Sequence, residues 1–308
     1  MRKLTVILLA TLLAIPNLVQ AEFSADDLPA ASTWYFHVDF KEMRKTESGA
    51  AIYAWLDSEV FEEIRDEIGV DFDQELDQIT AYAAEGAAPA ILLYGPISQD
   101  TKDKLLAAAA AAAEGDFDQT KAHGKLYYSI GDLDDKAGKH DVNFDAFEDQ
   151  LHFSFALKDR IVLTSSAGQM EELLGSNGRV AGSKAAGDAL FVMTAKSSLV
   201  QAGANAKALG ENGDWDSNML QNTKQLALLI ADSGGMIALD AQLEATEPEM
   251  ADSLASIARG LVSLASFSDE VEPEVAAMLR GVKIDVKDSW LKLSMAVDAD
   301  VFVSMLED

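Results

Sequence analysis

The chain has 308 residues, with 52 Asp and Glu against 24 Lys and Arg, a net charge of −28, and no cysteine. Disulfides, thiol catalysis and thiolate metal sites are therefore excluded. Such an excess of negative charge opposes binding to nucleic acid or to anionic lipid, because their phosphates are repelled.

Residues 1–21 have the layout of a cleavable signal peptide. Arg2 and Lys3 precede an apolar run at 4–15, Pro16 breaks it, and Val19 and Ala21 supply slim side chains at positions −3 and −1. The run falls short of the roughly 18 apolar residues that a spanning helix needs, and no second such stretch follows. A mature protein starting at Glu22 is expected, in the periplasm or outside a bacterial cell, without an integral membrane segment.

After this leader, 33–40 alternates aromatic and polar residues and predicts a strand. Residues 43–68 carry Ile52, Trp55, Leu56, Val60, Phe61, Ile64 and Ile68 at helical spacing and stop at Gly69. Two short strands are predicted at 79–83 and 90–94. Ser98 caps a helix that runs through seven alanines, Ala107 to Ala113, a run that lets a backbone approach closely. A strand at 125–130, an acidic loop at 132–149, a hairpin of 151–157 with 160–165, and a short helix at 168–174 complete the first half. The second half reads as a strand at 190–195, a helix at 197–209, a polar loop at 211–218, and strands at 224–231 and 236–245 around Gly234-Gly235. An amphipathic helix at 248–267 follows, its apolar stripe running through Leu254, Ile257, Leu261 and Leu264, then a second helix at 273–280. A hairpin of 282–286 with 290–297 and a helix at 299–306 close the chain.

The predicted fold class is α+β, with mostly antiparallel sheets and two similar strand-helix-hairpin-helix-hairpin-helix halves. The expected organisation is 1–21 signal peptide, 22–178 first α+β repeat and 179–308 second α+β repeat. The opening Leu28-Pro29-Ala30-Ala31-Ser32-Thr33-Trp34-Tyr35-Phe36-His37-Val38-Asp39 resembles the start of a broad class of secreted bacterial proteins of unknown function, which have a Leu-Pro-Ala opening and duplicated α+β units. That resemblance implies an exported α+β protein and brings no site residues.

Chemical signatures are sparse. There is no Gly-x-Ser-x-Gly elbow. Ser289-x-x-Lys292 lies in a strand pattern that puts the two side chains on opposite faces. His37, His123, His140 and His152 form no metal-binding pair. Three 1-3-5 oxygen patterns exist for a hard cation: Asp71, Asp73, Glu75; Asp141, Asn143, Asp145; and Asp214, Asp216, Asn218. Each lacks the glycine and the terminal glutamate of a calcium loop; the set Asp141, Asn143, Asp145 is the best of them. Trp34, Trp55, Trp215 and Trp290 are scattered and mark no sugar platform. No cofactor motif occurs. The reading is a non-catalytic exported protein that binds another protein or an envelope component. A carrier with an apolar cavity between the repeats and a hydrolase built from dispersed carboxylates are the alternatives.

Overall fold

The computed structural model describes residues 32–113, 116–131, 150–179, 189–196, 222–267 and 273–307. The leader at 1–21 and the helix expected at 197–209 lie outside them. The described strands form a single twelve-stranded sheet, β11-β12-β10-β9-β8-β1-β2-β3-β7-β6-β5-β4, antiparallel at every pairing. The mixed α and β character and the antiparallel pairing are as read from the sequence. The sheet is one continuous body.

Strand β1 (Ser32–Asp39) ends where Asp39 accepts a hydrogen bond from the Glu42 backbone and starts α1 (Phe40–Met43). Thr46 caps α2 (Glu47–Leu56), which passes through a π-helical turn (Asp57–Phe61) into α3 (Glu62–Ile68). Gly69, at φ 67°, ends that helix in the left-handed conformation that glycine adopts without a Cβ penalty. Strands β2 (Gln78–Ala84) and β3 (Ala90–Tyr94) lead to α4 (Gln99–Ala112), capped by Ser98. Strands β4 (Phe117–Ala122) and β5 (Lys125–Gly131) follow, then β6 (Gln150–Ser154), β7 (Arg160–Thr164) and α5 (Ala167–Gly175). The second half holds β8 (Ala189–Lys196), β9 (Thr223–Ser233), β10 (Met236–Ala245), α6 (Pro248–Ser266), α7 (Pro273–Arg280), β11 (Lys283–Lys287), β12 (Trp290–Asp298) and α8 (Ala299–Glu307).

The two-residue side-chain period divides the sheet into two faces. On one, Val38 and Leu190 pack with Phe40, Met43 and Ile52 of α1 and α2. Further along the same face α4 covers Leu151, Phe153 and Leu163, and α6 covers Leu243 and Leu291. On the other face α5 sets Met170, Leu173 and Leu174 against Ala90 and Val162. The centre of that face is also buried, at Tyr35, Val192 and Leu229.

Two readings change. Strand β4 was not anticipated; it pairs with β5 across a His123-Gly124 turn at φ 49° and 77°. The stripe of α6 is narrower than its sequence suggests. Leu254 is buried, but Ile257, Leu261 and Leu264 are 39%, 56% and 73% exposed. Among the described residues no helix is long and apolar enough to cross a membrane.

Candidate functional site: an apolar cavity beneath the alanine helix

The alanine run of α4 determines a cavity. Leu105 and Ala109, one helical turn apart, face the sheet. Below them lie Leu93, Leu163, Phe153 and Phe155, and the space between, open to solvent on one side, is about 150 Å³. Every side chain lining it is apolar. At Ala109 a methyl group roofs a space that a leucine or phenylalanine would fill. An apolar pocket open to solvent accepts apolar guests.

The roof is held at its ends. Ser98 accepts from the Thr101 backbone, and the Ser98 backbone donates to Glu75 at 3.0 Å. Burial pushes the Glu75 carboxyl up, but hydrogen bonds from Thr101 and Ser98 outweigh it and leave it below the ordinary value. At the other end Ala113 is fully buried among Ile130, Leu151 and Phe153. Between these ends, Thr101 is the one buried residue within α4. A helix so weakly anchored belongs to the low-stability part of a fold. The cavity lies within the first half of the chain, away from the seam between the halves where an apolar cavity was expected.

The cation patterns resolve differently. Asp141, Asn143 and Asp145, and likewise Asp214, Asp216 and Asn218, lie outside the described residues. Asp71, Asp73 and Glu75 turn to separate protein partners. Arg65 reaches Asp71 at 3.4 Å, Tyr53 donates to Asp73 at 2.8 Å, and Glu75 serves the α4 cap. Hydrogen bonds from Gln74 and then Tyr53 hold the Asp73 carboxyl below its ordinary value. Burial, then the bond to Asp73, pushes Tyr53 up to about 12. Among the described residues no group of three metal-ligating side chains assembles. Lys292 pairs with Asp240 at 3.4 Å, so it does not activate Ser289.

His37 and His152 are strand residues on the face that carries α5. His37 Nδ1 lies 2.8 Å from Thr80 Oγ1, and His152 Nδ1 lies 2.7 Å from Ser129 Oγ. Burial lowers both pKa values, in His37 against a smaller upward pull from Asp39. Both are satisfied, neutral sheet residues. His123 occupies the β4–β5 turn.

No protein-family model and no curated protein matches the chain. Among solved structures it is similar to three crystal forms of TP0453. With form IV it shares 11% identity over 94% of this chain and 99% of that one, at a TM-score of 0.46. With form III the values are 10%, 93%, 99% and 0.45, and with form I they are 8%, 89%, 92% and 0.43. Likeness at this level carries no conclusion about this chain.

Proposed function

We propose that the chain is an exported, non-catalytic binding protein whose ligand presents an aromatic ring or a short alkyl segment to the cavity beneath α4. One observation carries the reading: a space of about 150 Å³ with a wholly apolar lining, roofed by a helix that buries little of itself. That volume suits one ring or a few methylenes rather than a whole lipid, so the rest of the ligand projects past α4. Binding then has a simple energetic basis. Apolar surface on both partners leaves water at about 25 cal/mol per Å², and α4 gains the buried contacts that it lacks alone.

The binding unit is one of two related halves. Outward from the central β1–β8 pair, each half orders its strands alike: β1-β2-β3-β7-β6 on one side and β8-β9-β10-β12-β11 on the other. The β4–β5 hairpin is an addition to the first half, next to the cavity. A leader at 1–21 would place this unit in the periplasm or the medium, and the acidic surface keeps it in solution there.

Native mass spectrometry of the protein purified gently from its own compartment tests the reading. A co-purifying apolar compound that is lost in Ala109→Phe supports it. A bare chain that also fails to take up benzene or indole added at millimolar concentration sinks it.

A further inference from the structure

Beyond the cavity, at the far end of the sheet, α6, α7 and β11 border an open, shallow cleft of about 340 Å³. Four of its lining residues are polar, Arg259, Ser263, Ser266 and Arg280; the rest are aliphatic, with Val262 and Ile284 on opposite walls. Arg44, Arg65, Lys104, Lys224 and Lys292 each sit on a carboxylate. Arg259 and Arg280 are exposed at the surface and, like Arg160, form no ion pair among the described residues. Arg259 Nη2 donates to the Ile284 carbonyl at 3.0 Å, and Arg280 Nη1 donates to the Ser266 carbonyl at 3.2 Å. Each guanidinium is thus held to a wall by one of its five N–H donors, and the others have no partner among the described residues. Within α6, from Ser253 to Ser266, Arg259 is the single charged residue; Asp269, Glu270 and Glu272, between α6 and α7, lie outside the described residues.

We propose that this cleft binds an oxyanion, a phosphoryl or carboxylate group, carried on a small apolar body. The guanidinium forks match such anions in shape and charge, the Ser263 hydroxyl adds a donor at the cleft wall, and Val262 and Ile284 take the apolar part. The cleft is a second site, on the opposite end of the sheet from the α4 cavity.

Octyl phosphate and inorganic phosphate are the probes, titrated calorimetrically against the full mature chain. Octyl phosphate binds wild type and binds at least tenfold more weakly to Arg259→Gln and to Arg280→Gln. Ser263→Asp, which keeps both arginines but adds a carboxylate at the wall, weakens it likewise. In the Ala109→Phe background, which fills the cavity beneath α4, the arginine-dependent binding persists, which separates this site from that cavity. Arginine-dependent binding of inorganic phosphate as well would identify a free anion as sufficient; binding of octyl phosphate alone would identify an amphiphile. The proposal is overturned if neither probe binds, or if, with the α4 cavity filled by Ala109→Phe, binding survives both arginine substitutions.

Discussion

His37 and His152 show what burial does to a titratable group in this sheet. Each is held neutral, with a folded pKa below the ordinary 6.5. The unfolded chain therefore takes up protons that the folded chain refuses as pH falls through 6.5, and stability falls with it. Ordinary carboxylates titrate lower, near pH 4, and Asp73 and Glu75 lower still. The melting temperature is accordingly expected to drop between pH 7.5 and 5.5, with a shallower slope in the double variant His37→Gln, His152→Gln. An unchanged slope would show that the histidines are not the cause. Gly95 presents a different constraint. A Cβ there would lie 2.0 Å from the Glu75 carbonyl oxygen. Backbone cannot yield as a side chain does, so Gly95→Ala should cost roughly 3 kcal/mol, the upper end of overpacking, as read by denaturant unfolding. Neither the histidine partners nor this contact is legible in the sequence, since Thr80 and Ser129 are remote from the histidines in the chain.

Local patterns served best for whole elements. Ser98 identified the start of α4, Gly69 the end of α3, and Gly234-Gly235 the β9–β10 turn, because each is set by chemistry within a few residues. Strand β4 escaped because Phe117-Asp118-Gln119-Thr120-Lys121-Ala122 is mostly exposed and shows no apolar alternation; its pairing with β5 places it there. The helix α6 misled in the other direction. Its period places Leu261 and Leu264 beside Leu254, yet the sheet reaches only the Ala251–Leu254–Ala255 side. This contrast is measurable. Leu254→Ala should cost about 2–5 kcal/mol, and Leu264→Ala, at 73% exposure, less than about 0.5 kcal/mol, in parallel denaturant melts. Removing the α4 cap by Ser98→Ala should cost about 1 kcal/mol and loosen the roof of the cavity.

The whole molecule rests on a pairing that no local pattern reveals. Strand β1 meets β8 with Trp34 opposite Ala195, and this contact joins the two halves into one sheet. The sequence therefore suggested halves that could enclose a cavity between them, whereas the apolar space lies under α4. The alanine run was conspicuous in the sequence, but the large side chains beneath it come from β3, β6 and β7, which only the sheet order brings together. At this scale charge also matters. A net of −28 makes the folded chain repel itself, and salt screens that repulsion within about 8 Å at physiological strength. The melting temperature should rise between 10 mM and 500 mM sodium chloride; a fall would mean that local ion pairs such as Arg65–Asp57 outweigh the net charge. Binding in the cavity is read by fluorescence titration with the neutral probe N-phenyl-1-naphthylamine, comparing wild type with an Ala109→Phe variant shown to be folded by circular dichroism. Saturable enhancement in wild type that is lost in Ala109→Phe is the predicted result; no enhancement in wild type, or equal enhancement in both, would contradict it.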